Sequence, residues 1–198
     1  MRTVAKTCPS WILLCIAWLA IAGPSPASAR TVAGVTLPER VQVAGNDDEL
    51  LLNGAGIRSK YMFDVYVAAL YLPHAARDAK AVLTMPGAKR IAMHFLFDVS
   101  REKLLEGWRE GFTFNLDPQQ IEALRPRIER SYGFFRSVHQ GDTVFIDYLP
   151  DQGTCLRING EQKGCIPGAD FYRAVLQVWL GKHPIQYPLK RQMLGLLD

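Results

Sequence analysis

The chain has 198 residues, 48% of them hydrophobic, with 23 basic and 19 acidic side chains and a formal net charge of +4. That length suits one domain able to bury a full core. The charge is too small and too dispersed to indicate a nucleic-acid surface.

The first 29 residues read as a secretory signal peptide. Arg2 and Lys6 form a positive start, and Trp11 to Ala22 is an uncharged apolar run. Pro24 and Pro26 break the run, and Ala27-Ser28-Ala29 supplies small residues at the −3 and −1 positions of a cleavage site. The run is shorter than the ~20 residues a membrane-spanning helix needs. Cys15 lies within it after Leu13-Leu14, which is the wrong place for a lipoprotein cysteine. Cleavage leaves residues 30–198. It removes two of the 23 basic side chains and none of the 19 acids, so the mature charge falls to +2. No later stretch is apolar enough to span a membrane. The expected location is periplasmic or secreted.

Arg40 to Val43 and Glu49 to Leu52 read as short strands, and Asn53-Gly54-Ala55-Gly56 as a turn. Met62 to Leu72 is the clearest strand, rich in β-branched and aromatic residues and bounded by Arg58-Ser59-Lys60 and Pro73. Alternation puts Phe63, Val65, Val67, Ala69 and Tyr71 on one face. Met62, Asp64, Tyr66, Ala68, Leu70 and Leu72 take the other. Both faces are mostly apolar, so the strand belongs in a covered sheet. Ala79 to Met85 is a short helix, and Arg90 to Phe97 a strand.

Ser100 caps a helix running to Phe112, with Leu104, Leu105, Trp108 and Phe112 on one stripe. Asp117-Pro118-Gln119-Gln120 opens the next helix with a capping box and a proline at the first turn. Asp142 to Tyr148, Thr154 to Ile158 and Glu161 to Ile166 are strands. Phe171, Ala174, Val175 and Val178 stand at helical spacing before Gly181, and Pro188 to Leu197 forms a terminal helix. The order of strands and helices defines an α+β fold, an antiparallel sheet covered on one face by helices. No repeat or linker divides residues 30–198, which are expected to form a single domain.

Two cysteines remain after the leader, Cys155 and Cys165, an even number in an oxidising compartment. They flank the turn Asn159-Gly160. A two-residue turn pairs Ile158 with Glu161 and puts Cys155 opposite Gly164. A bulge at Gly164 or a three-residue loop is needed to join the sulfurs. With that adjustment a structural disulfide is expected.

Chemistry-bearing motifs are scarce. His74, His94, His139 and His183 are scattered outside any metal spacing, there is no nucleophile elbow and no phosphate loop, and no cofactor or metal is indicated. Arg58 and Tyr66 are the residues of interest. An arginine at the edge of an apolar cavity can hold a carboxylate or enolate bidentately, and a tyrosine on the next strand can donate to the same anion. A surface ion pair and a core tyrosine are the commoner uses of such residues.

Leu52 to Arg58 (LNGAGIR) with Val65 to Leu72 (VYVAALYL) resembles the chalcone isomerase-like family, most closely its exported bacterial branch. Leu176 to His183 (LQVWLGKH), followed by Pro188-Leu189-Lys190, agrees. The resemblance spans roughly residues 33 to 197. It implies an antiparallel sheet, covering helices and a ligand cleft between the layers. In the plant enzymes an arginine stabilises the phenolate and enolate, and a threonine, a tyrosine, an asparagine and a second threonine hold the rest of the substrate. Carried over by position, only the arginine is kept, as Arg58. The others fall on Tyr66, near Ser100, near Gly107 and on Val178.

Ring closure requires charge stabilisation at two places, and losing one donor typically costs ~3 kcal/mol. The resemblance therefore implies the family's non-catalytic fatty-acid-binding role. The expected ligand is a small amphipathic carboxylate. Arg58 and Tyr66 would anchor it, and Met62, Trp108, Phe112 and Val178 would give apolar lining. Two alternatives stand: an isomerase acting on an enone-like substrate, and an envelope interaction module with a collapsed cleft. An ion-paired Arg58 or exposed aromatic surface would mark the latter.

Overall fold

The computed structural model describes residues 29–45 and 48–197. The expected leader lies outside the described residues, except for Ala29. A small hairpin comes first, β1 (Ala29–Val32) and β2 (Val35–Pro38), turning at Ala33-Gly34 with φ of 46° and 78°. The first strand expected from the sequence starts at Arg40, so this hairpin is an addition to it.

Seven strands then form one antiparallel sheet in chain order: β3 (Arg40–Gln42), β4 (Glu49–Lys60), β5 (Phe63–Leu72), β6 (Lys89–Phe95), β7 (Thr143–Leu149), β8 (Gly153–Ile158) and β9 (Glu161–Ile166). Helix α1 (Ala79–Thr84) joins β5 to β6. Helices α2 (Arg101–Asn115) and α3 (Pro118–Ser131) lie between β6 and β7, and α4 (Ala169–Leu180) and α5 (Tyr187–Met193) follow β9. The α+β architecture matches the expectation.

The helices begin where side chains can cap them. Asp78 accepts from the Ala81 N–H, Ser100 from Lys103, and Asp117 closes a capping box with Gln120. Each cap satisfies a backbone donor that the helix itself leaves unpaired, and each contributes about 1 kcal/mol.

The sheet has two differently covered faces. On one, Tyr66, Ala68, Leu70 and Leu72 of β5 pack with Ile91, Met93 and Phe95 of β6 beneath the helices. On the other, Val67, Ala69 and Tyr71 pack with Leu50, Leu52 and Ala92 under Leu37 of the N-terminal hairpin. The alternation of β5 thus holds from Tyr66 to Leu72.

The glycine stretch Asn53 to Gly56 is strand, not turn. Asn53 is a bulge, because Leu52 pairs with Tyr71 while Gly54 pairs with Leu70. Its side-chain amide donates to the carbonyls of Ala76 and Met193 and accepts from the Ala76 N–H. The glycines serve close approach. A Cβ at Gly54 would stand 2.2 Å from the Gln192 carbonyl oxygen, and one at Gly56 2.1 Å from the Gln192 side chain. Helix α5 lies directly on this bare backbone, and any larger residue lifts it off.

The Cys155–Cys165 disulfide is formed. The Asn159-Gly160 turn pairs Ile158 with Glu161 as expected, and one extra residue in β9, Lys163, brings Cys155 opposite Cys165. The bulge therefore falls one residue before Gly164. Gly164 itself is packed under Phe134, whose ring a Cβ there would meet at 2.2 Å.

Candidate functional site

A cleft of about 330 Å³ opens between the sheet and helices α2 and α4. Its size falls within the range of small-molecule sites. Tyr66, Met93, Phe95 and Ile146 form its sheet side. Leu104, Gly107 and Trp108 of α2 face them, with Val178 and Trp179 of α4.

The cleft exists partly because of two glycines one turn apart on α2. A Cβ at Gly111 would lie 2.7 Å from the methyls of Val178, so this glycine lets α4 press against α2. A Cβ at Gly107 would meet nothing within 4 Å. The empty space over Gly107 is part of the cleft, which this residue lines. Glycine in a helix interior costs about 0.5–1 kcal/mol relative to alanine.

Arg58 and Tyr66 are direct cross-strand partners on β4 and β5, both on the helix-covered face. Arg58 is half-buried. Its Nη1 donates to the Ser59 carbonyl oxygen and to Gln186 Oε1 at 3.3 Å. Gln186 Oε1 also accepts from the Ser59 N–H at 3.1 Å, so the residue preceding α5 holds the arginine's base. No carboxylate pairs with Arg58 among the described residues. Tyr66 is 7% exposed. Its hydroxyl accepts from Trp179 Nε1 at 3.2 Å, which leaves its own O–H to donate. Burial raises its pKa, against smaller lowering effects from the Trp179 hydrogen bond and the Arg58 charge. Tyr66 therefore stays protonated across ordinary pH. Together the two side chains offer a positive charge and O–H and N–H donors to one anion.

Trp108 points its indole N–H away from the cleft, to Ser131 Oγ at 2.9 Å, and presents an apolar ring. Val178 is among the residues that line the cleft. Phe112 is not. It is 2% exposed and lies between the rings of Trp108 and Phe171, at 5.1 and 6.1 Å, supporting the wall from behind.

Met62 is also outside the cleft, in the β4–β5 turn, and 94% exposed. The cause is a bulge. Arg58 pairs with Tyr66 but Ser59 pairs with Asp64, so Val65 is an extra residue in β5. It inverts the alternation toward the strand's start, and Phe63 and Val65 line the cleft in place of Met62. Trp179, like Met93, Phe95 and Ile146, lines the cleft without having been singled out from the sequence. The only signal was its place in the Val178-Trp179-Leu180-Gly181 run of the family resemblance. Among the described residues no group of three or more side chains is arranged to hold a metal ion.

Residues 29–195 match the chalcone isomerase-like family, and the chain belongs to that family. The fold agrees with a crystal structure of a fatty-acid binding protein from Arabidopsis thaliana. That structure superposes with a TM-score of 0.65 at 14% identity, covering 84% of this chain and 96% of the other. No curated protein matches the sequence.

Proposed function

We propose that this chain is a non-catalytic binding protein for a fatty acid or a similar amphipathic carboxylate, acting as an exported domain after loss of residues 1–29. The observation that carries the reading is an open apolar cleft beside a buried, protonated tyrosine and an arginine with no acidic partner among the described residues. A carboxylate supplies the missing charge, and an acyl chain suits the apolar walls. The similar plant structure is that of a fatty-acid binding protein, which supports the same ligand class, and the disulfide suits an oxidising compartment.

The rival reading, turnover of an enone-like substrate, needs polar groups opposite the arginine. Of the positions aligned with the plant enzymes' donors, Tyr66 alone supplies one, and it is Arg58's own cross-strand partner. Ser100 caps α2, Gly107 has no side chain and Val178 is apolar. The exposed aromatic side chains Tyr61, Phe63 and Phe97 meet one mark of an interaction module, but a collapsed one is disfavoured, because the cleft is open and no carboxylate pairs with Arg58 among the described residues.

Native mass spectrometry of the protein purified without added lipid tests the proposal. A bound adduct with the mass of a long-chain acid is expected, displaced by added acid. An empty protein with no affinity for such acids, or turnover of chalcone-like enones abolished by Arg58→Ala, overturns it.

A further inference from the structure

The mouth of the cleft carries an apolar tip that the fold does not require. Tyr61 is 91% exposed and Met62 94%. Phe63 and Phe97 are each about half exposed, with ring centroids 5.2 Å apart. Lys60 pairs with Phe63, so Tyr61-Met62 is a two-residue hairpin turn, and Tyr61 stands at φ 58°. A left-handed turn position favours glycine, asparagine or aspartate. Neither local conformation nor internal packing calls for an aromatic and a methionine here. Conflicts between local preference and native residue gather at surfaces that contact something else.

The charge around the tip narrows the choice of partner. Lys60 makes no ion pair among the described residues, and its ammonium lies 5.9 Å from the Tyr61 ring centroid. Lys103, also at the mouth, pairs with Glu106 at 2.8 Å. The residues lining the cleft include Arg58, Lys60 and Lys103 against Glu110. Glu106 answers Lys103, and Asp64 beside the tip accepts from the Ser59 hydroxyl, so Arg58 and Lys60 are the cations at the mouth with no carboxylate partner among the described residues. A second copy docking here would bring these cations together. A bilayer surface instead offers hydrocarbon to the apolar side chains and anionic headgroups to the lysines, which can extend their stems along the interface.

We propose that the β4–β5 tip docks on a lipid bilayer bearing anionic headgroups, and that the ligand passes between bilayer and cleft through this mouth. The docking stands on the exposed tip alone, whereas its purpose rests on the fatty-acid reading above.

The test is co-sedimentation of the ligand-free protein with vesicles of phosphatidylglycerol and phosphatidylethanolamine, and with vesicles of phosphatidylcholine alone. Met62→Asp is the informative variant. It lies outside the cleft, suits the turn, and sets a negative charge at the tip. The wild type is expected to bind the anionic vesicles more tightly than the neutral ones, and Met62→Asp to lose roughly tenfold or more of that binding. Affinity for free acid in solution stays unchanged in the variant.

The proposal is overturned if the wild type does not associate with anionic vesicles, or if Met62→Asp binds them equally well. It is also overturned if sedimentation velocity shows a dimer through the tip that the variant dissolves. Vesicle binding without any affinity for free acid defeats the fatty-acid reading and leaves the docking in place. Acid binding without vesicle association does the reverse.

Discussion

Arg58 and Arg90 lie on opposite faces of one sheet, and their surroundings differ in kind. Arg90, on β6, is 8% exposed and donates to both oxygens of Asp147 on β7, at 2.6 and 2.8 Å. Its guanidinium lies 4.4 Å from the centroid of the Phe145 ring, and Arg157 Nε stands 3.7 Å from the same carboxylate. Its charge is answered within the protein. Arg58 faces an open apolar cleft, and among the described residues its partners are neutral, the Ser59 carbonyl and Gln186. A buried arginine with a bidentate carboxylate is part of the structure. A half-buried arginine without one can take an anion from outside, as the proposed function requires of Arg58.

The largest effect should come from breaking the satisfied pair. Asp147→Ala strands a buried guanidinium and is expected to cost about 3–5 kcal/mol in chemical denaturation. Arg58→Ala should change stability by less than about 1 kcal/mol. Equal losses in the two variants would erase the distinction between the arginines.

Next comes the staple beside Asp147, which pairs across the ladder with Cys155. The paired substitution Cys155→Ser with Cys165→Ser should cost about 2–3 kcal/mol and leave ligand affinity on the opposite face unchanged. A parallel loss of affinity would show that the two faces are coupled.

Gly107→Ala carries a smaller and opposite effect. It should raise stability by about 0.5–1 kcal/mol, since nothing crowds the new methyl, while Gly107→Leu should fill the cleft and exclude the acid. If Gly107→Leu binds as the wild type does, the ligand lies elsewhere.

Lys89 gives the smallest signal, in pH dependence. It is 3% exposed, donates to the Gly87 carbonyl at 3.0 Å and lies 5.0 Å from the Tyr148 ring centroid. Burial, with a smaller contribution from the Arg173 charge, lowers its pKa from 10.5 to about 8. Between those values the unfolded chain binds the extra proton, so stability from this group rises with pH from about 8 toward 10.5. Tyr71 opposes it above pH 10, because burial raises its pKa to about 12 and unfolding then releases the proton. A wild-type stability that rises between pH 8 and 10, and a flatter profile in Lys89→Met, is the expected pair of curves. Identical profiles would remove Lys89 from the account.

The sequence made some of this legible and hid the rest for physical reasons. Periodicity and caps report local chemistry, so the strand alternation from Tyr66 to Leu72, the Asp117 capping box and the Asn159-Gly160 turn could be read directly. Bulges depend on tertiary pairing, and three of them went unseen or misplaced. Asn53 turned an expected turn into strand, Lys163 set the disulfide register, and Val65 exchanged Met62 for Phe63 in the cleft. The glycines of β4 carry a demand made by α5, more than 130 residues on. No local window contains it. Trp179 was hidden because α4 is apolar on most of its surface, so periodicity did not single out one cleft-facing residue. Arg58 and Tyr66 were reachable, but their burial and partners were not.

The most direct test is titration calorimetry of a long-chain fatty acid and of its methyl ester into wild type and Arg58→Ala. The acid is expected to bind the wild type and to lose roughly 10- to 100-fold in affinity in Arg58→Ala, the worth of a charge-assisted hydrogen-bonded contact. The ester should bind both proteins weakly and alike. Acid binding that is absent, or equal in the two proteins, contradicts the account.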